Sequence, residues 1–196
     1  KGLYTPQNFS KIKNIDSLIK AMDEQTILEG RAVLCDNHHN LHVELGSFKG
    51  IIPADECVFS HFPIKDVAII SRVGKPVCFK ILAINGNTLT LSRRSAQYEC
   101  MLCYIDKLLA GDIIPARVTH MESFGVFADV GCGIISLLPI DTLSVSRISH
   151  PRDRICVGQD LHVVVKTPSY GSGRISLSHR ELLGTWQENA ALYSPG

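Results

Sequence analysis

The sequence predicts a mainly β chain folded as two small five-stranded barrels in tandem, joined and flanked by short helices. Three observations carry this: an internal repeat, period-two alternation inside each copy, and turn residues between the alternating runs. GIIPADE (Gly50–Glu56) resembles SLLPIDT (Ser136–Thr142), and TLTLSRRS from Thr88 resembles RISLSHRE from Arg174; Pro53 to Pro139 and Ser92 to Ser178 are both 86 residues apart. HVELG and FADVG align at an offset of 85, and VGKPVCFKIL and VGQDLHVVVK at 84. Four matches in one order at nearly one offset define two copies of a unit, residues 28–94 and 111–180.

The elements follow in order. Residues 1–27 are a helical lead-in, with Ile15, Leu18, Ile19 and Met22 at helical spacing. In the first copy Leu41, Val43 and Leu45 alternate with His42 and Glu44, the period of a half-buried strand, and Asn85–Asn87 reads as a hairpin turn. Residues 95–110 form a helical connector closed by Gly111. In the second copy Val126, Ala128 and Val130 face inward while Phe127 and Asp129 face out. Tyr170–Gly173 is a second hairpin turn, feeding a last strand with Ile175 and Leu177 inward and Arg174, Ser176 and Ser178 outward. Residues 181–196 carry Leu182, Leu183, Trp186 and Ala190 at helical spacing, with Trp186 as a packing anchor, before a Pro-Gly pair where a third repeat would begin. About five strands in about 70 residues suit a small closed barrel, of which the OB-fold is the commonest.

Composition narrows the class. The 196 residues are 45% hydrophobic and 20% charged, with mean hydropathy +0.11, too apolar for a disordered tail. No apolar run approaches the roughly 18 residues of a membrane span, and the first residues have no signal-peptide core. A chain that starts on Lys1 is expected to be a fragment or processed product. Twenty basic against nineteen acidic residues give +1, which excludes a strongly basic nucleic-acid wrapper but leaves room for a local basic face. Seven scattered cysteines do not form a secreted disulfide framework, so a reducing cytoplasm is expected.

Phe127 is the most informative residue, because the pleat sends it to the polar face. Phe124 lies three residues earlier, before Gly125, a residue that permits a twist or bulge bringing both rings to one side. Two exposed aromatics on one barrel face make a stacking platform for unpaired bases. Arg174 on the closing strand suits a phosphate, and the loop SVSRISHPRDRI gathers Arg147, His150, Arg152 and Arg154 against Asp153. His38, His39 and His42 lack a completing carboxylate or Cys, so no metal is expected there. Cys100 and Cys103 make a lone CxxC, read as buried small hydrophobes. With no phosphate loop, no GxSxG and no paired acids, no catalytic site, cofactor or small-molecule substrate is expected.

GDIIPARV, SFGVFADVG, VGQDLHVVV and GRISLS, in that order from Gly111, resemble the S1 RNA-binding domain. This is the OB-fold repeat of bacterial ribosomal protein S1, found also in polynucleotide phosphorylase and several ribonucleases. The resemblance implies a cytoplasmic, non-enzymatic, translation-associated protein that binds single-stranded RNA, messenger included, with the small ribosomal subunit as a further partner. It implies binding through Phe124, Phe127 and Arg174. The pattern departs where the family has His and Ser after its third strand, since this chain has Pro139 and Asp141, and in the last turn, where Ser169 and Tyr170 replace an acidic residue. In the first copy His39 and His42 stand where Phe124 and Phe127 stand, and Thr88 replaces Arg174. That copy is also the more basic: residues 30–94 hold eight basic and five acidic side chains, residues 111–183 seven of each. Divergent leading repeats in multi-repeat members of the family often dock on the ribosome, so the resemblance implies a docking role for the first copy. Two alternatives stay open, a protein-docking scaffold on the ribosome and an accessory RNA-binding segment of an RNA-processing enzyme.

Overall fold

Thr5 and Asn14 start the first two helices, each accepting a backbone N–H with its side chain, from Asn8 and Ser17 respectively. They cap α1 (Pro6–Ile12) and α2 (Ile15–Asp23). The computed structural model describes residues 5–60, 64–169 and 175–184, and the chain divides into two units, Lys1–Cys100 and Met101–Gly196. In the first, α2 buries Leu18 and Ala21, while Ile15 and Ile19 at the same helical spacing stay partly exposed. Asn8 acts as a piece of strand: its amide donates to Glu29 O at 2.7 Å and accepts from Glu29 N at 2.9 Å, satisfying backbone groups that burial would otherwise leave unpaired.

The first unit is a closed barrel of β1 (Leu28–Cys35), β2 (Leu41–Leu45), β3 (Phe48–Ile52), β4 (Pro76–Asn85) and β5 (Thr88–Ser92). Around it the order is β1-β2-β3-β5-β4, with β4 returning to β1. The β3–β5 pair is parallel and the other four are antiparallel, so no edge is left unpaired. The alternation in β2 holds, with Leu41, Val43 and Leu45 buried. Gly30 is required by packing, since a Cβ there would lie 2.6 Å from Val43 Cγ1. The β4–β5 hairpin turns at Asn85–Asn87, where Gly86 takes φ +59°. A short helix, α3 (Asp66–Ile70), lies between β3 and β4, and α4 (Arg93–Cys103) follows β5.

The second unit repeats this plan with β6 (Ile113–Glu122), β7 (Gly125–Gly131), β8 (Ile134–Pro139), β9 (Asp160–Thr167) and β10 (Ser176–Ser178), in the order β10-β9-β6-β7-β8. Its core includes Val118, Val126, Ala128, Leu138, Val163 and Leu177. Among the described residues no ladder pair links β8 to β10. Thr142, in the turn after β8, bridges that seam: its carbonyl accepts the His179 N–H at 2.9 Å, and the Ser178 hydroxyl lies 3.4 Å from the same oxygen. Both sheets are thus the mainly β, five-stranded, OB-type barrels the repeat predicts, one closed and one nearly closed.

Three local expectations change. Ser178 is fully buried rather than outward, because its hydroxyl is drawn to the Thr142 carbonyl at the seam. Cys103 is exposed and Cys100 half-buried, so the CxxC pair is not core. Residues 180–183 form a 3-10 turn; Trp186 and Ala190 lie outside the described residues, as does the Tyr170–Gly173 turn.

Candidate nucleic-acid interface

β6 and β7 join through the two-residue turn Ser123–Phe124, which sets Glu122 opposite Gly125, Met121 opposite Val126 and His120 opposite Phe127. The irregularity expected at Gly125 lies in the partner strand instead. The register shifts between Val118 and His120, an extra residue that leaves both Thr119 and His120 exposed. Thr119 fixes the bulge by donating its hydroxyl to Phe127 O at 3.0 Å. Gly125 serves close packing: a Cβ on it would meet Leu138 O of β8 at 2.6 Å and Pro139 Cα at 3.1 Å. Its absent side chain lets β8 close against the start of β7, and the Ile140 N–H then bonds Phe124 O at 2.9 Å.

The result is a cluster of rings on the outer face. Phe124 is 55% exposed and meets the half-buried Phe127 edge-on, with centroids 6.1 Å apart and planes at 88°. His120 lies nearly parallel to Phe127, at 6.0 Å and 27°. The His120 Nε2 is 2.7 Å from Glu122 Oε1. Leu137 of β8, partly exposed, sits opposite Phe127 and continues the apolar strip. Beside it Asp129 turns inward on its own hairpin, accepting the Gly131 and Gly133 N–H groups at 2.8 and 3.2 Å. Arg117 is 3.6 Å from Asp160.

The loop cations have separate surroundings. Arg147, Arg152 and Arg154 are exposed, and Arg154 Nη2 donates to Ser146 Oγ at 3.2 Å. His150 caps the 3-10 turn Pro151–Asp153: its Nδ1 accepts the Arg152 N–H, and Asp153 accepts the His150 N–H. The structure brings Phe124 and Phe127 together with His120; it records no contact between those rings and the loop cations among the described residues. Arg174 lies outside the described residues. His120 is the site residue that reading the sequence missed, although counting back from the turn Ser123–Phe124 pairs it with Phe127.

The corresponding face of the first unit is built differently. Leu34 takes the place of His120, opposite His42. His42 Nε2 is held 3.2 Å from Asp36 Oδ2, and Asp36 also accepts the N–H groups of His38 and Asn40, both at 2.9 Å. Those bonds, the Asn40 N–H foremost, hold the Asp36 carboxyl well below the usual carboxylate range. No group of three or more His, Cys, Asp or Glu side chains among the described residues is placed to hold a metal ion. No described helix is long and apolar enough to cross a membrane.

A five-stranded OB-type barrel with an exposed ring cluster on its β6–β7 face defines a class, and residues 107–180 match the S1 RNA binding domain family. Over most of its length the chain is also similar to a bacterial ribosomal protein. It is 28% identical over 179 residues to small ribosomal subunit protein bS1 of Staphylococcus haemolyticus, covering 88% of this chain and 44% of that protein. It is 28% identical over 183 residues to the Staphylococcus aureus (strain COL) protein of the same name, covering 90% of this chain and 45% of that protein. The chain thus spans less than half the length of these relatives. Among solved structures, the a/eIF2alpha-aDim2p-rRNA complex from Pyrococcus horikoshii OT3 aligns at 23% identity with a TM-score of 0.37, covering 43% of this chain and 51% of that one.

Proposed function

We propose that this protein is a non-enzymatic RNA-binding component of the translation apparatus, holding single-stranded RNA on the outer face of the second barrel. The observation that carries the reading is the solvent-facing pair Phe124 and Phe127 within the segment that matches the S1 domain. Each base stacked on such a ring contributes on the order of 1–3 kcal/mol with little dependence on sequence. Arg147, Arg152 and Arg154, with Arg174, supply phosphate partners, and His150 shapes the loop that presents three of them. Messenger RNA is the substrate this stacking chemistry suits, and the cytoplasm is where it would be met. Binding of a single-stranded oligonucleotide by fluorescence anisotropy tests this. The F124A/F127A double variant is expected to bind at least about tenfold more weakly, the loss of roughly one stacked base. Unchanged affinity overturns the reading.

A specific observation favours protein docking for the first unit. Val33 and Leu34 are 47% and 54% exposed on β1, where the second unit has Thr119 and His120. Val67 and Ile70 of α3 are exposed as well, and the segment after α3 bonds to β1 through Gly74 N–H to Ala32 O at 2.7 Å. An apolar face of this kind suits a protein surface of the small ribosomal subunit better than a phosphate chain. Substituting Val33 and Leu34 by Ser is expected to reduce co-sedimentation with 30S subunits while leaving oligonucleotide affinity unchanged. The reverse outcome removes the docking role.

A further inference from the structure

The His120–Glu122 pair is not used by the stacking reading above, yet it sits against the central ring. His120 reaches Phe127 across the β6–β7 ladder because the bulge at Thr119 turns it outward, and its side chain is 62% exposed. It therefore adds a third flat surface beside Phe127. A ring in that place contributes area. A histidine also contributes polar atoms in the ring plane, and the neighbouring carboxylate bears on which of them is available.

Glu122 sets the choice. A carboxylate accepts hydrogen bonds and does not donate, so the 2.7 Å contact assigns the proton of neutral His120 to Nε2. Nδ1 is then a lone-pair acceptor at the edge of an exposed, stacked ring. A base stacked on Phe127 with its edge in the plane of the His120 ring meets that acceptor, and the bases differ in what they offer it. Cytosine presents an exocyclic amino group with two N–H bonds. Uracil presents one ring N–H between two carbonyl oxygens, which repel an approaching lone pair. The two pyrimidines have similar stacking area, so the difference between them falls on the hydrogen bond.

We infer that His120 is a base-reading residue of the RNA face, accepting through Nδ1 a hydrogen bond from the exocyclic amino group of a base, with Glu122 as the positioning residue that fixes its tautomer. The inference rests on the proposed RNA-binding face and deepens it from sequence-tolerant stacking to a preference for amino-bearing bases. A neutral hydrogen bond of this kind is worth a discrimination of about fivefold.

The test uses the whole chain at pH 7.5 with two probes of equal length, oligocytidylate and oligouridylate. The wild-type protein is expected to favour oligocytidylate by about fivefold. H120F keeps a stacking ring and removes the acceptor; it is expected to bind both probes with the wild-type oligouridylate affinity. E122A removes the tautomer control and a negative charge together. The charge acts on both probes alike, so the expected signature is a reduced ratio whatever the overall affinity does. A preference that survives in H120F, or a ratio untouched in E122A, overturns the inference. If F124A/F127A loses binding while H120F keeps the preference, the face stands and His120 is not its reader. If F124A/F127A binds both probes as tightly as wild type, the face itself is misassigned.

Discussion

The two barrels share one plan and differ at the residues that face outward. Positions on β1 and β2 of the first unit carry Leu34 and His42; the matching positions on β6 and β7 carry His120 and Phe127. Strand order, hairpin register and even the bulge recur, at Ala32/Leu34 and at Val118/His120. Inward positions are apolar in both, because burial of the core drives either barrel to close. Outward positions have no such constraint, and there one unit has rings where the other has an aliphatic pair and a histidine tied to Asp36. The barrel is therefore a common scaffold, and the two units differ by a few outward side chains on one hairpin.

Substitutions that set one unit against the other probe this contrast. The largest effect is expected at Gly125, whose counterpart in the first unit, Asn40, carries a side chain that donates to Asp36 and accepts from Ala54 N–H. G125A drives a methyl group into Leu138 O and should destabilise the second unit by about 1–3 kcal/mol, read as lost hydrogen-exchange protection in β7 and β8 with the first unit unaffected. Equal protection would show that β8 shifts freely. Next comes the F124A/F127A variant set against H39A/H42A: the first pair should lose at least about tenfold in oligonucleotide affinity and the second less than about twofold. Equal losses would erase the functional contrast.

The third prediction concerns acid. Asp36 has its folded-state pKa below the unfolded value, so it stabilises the first unit at neutral pH. That contribution declines as pH falls below about 4, the ordinary carboxylate range, and is gone below the folded pKa. The urea midpoint followed on the His42–Leu45 amides should drop over that range in the wild type and change less in D36A. The smallest effect is in salt. Residues 111–183 are formally neutral, so oligonucleotide affinity should fall gently with ionic strength, with a slope corresponding to about two or three phosphates. A steep slope would assign the binding to charge and bring the more basic first unit into play.

Much of the fold can be read from the chain alone. Alternation in Leu41–Leu45 and Val126–Val130 reports burial directly, and the turn at Gly86 reports a backbone that needs φ > 0. What escaped was set by non-local geometry. Ser178 reads as an outward polar residue until the seam brings Thr142 to its hydroxyl from 36 residues away. Gly125 reads as a flexible point, whereas the approach of β8 is what excludes a side chain there. His120 was hidden because a one-residue bulge alters the parity of β6 after Val118, so simple alternation assigns it the wrong neighbours.

The contact of Thr142 with the segment at β10 bears on the order in which the second barrel assembles. The Thr142–Ser178 tie joins groups 36 residues apart, so seating the β9–β10 pair against the turn after β8 costs chain entropy that the β6–β7 and β7–β8 hairpins do not incur. β6, β7 and β8 form a meander whose pairings are all between sequence neighbours, and such contacts form early. The β9–β10 pair is then expected to dock after the meander, like a latch on a box whose β6–β7 face is already assembled. Opening at that contact would leave the β6–β7 pairing of His120 with Phe127 in place.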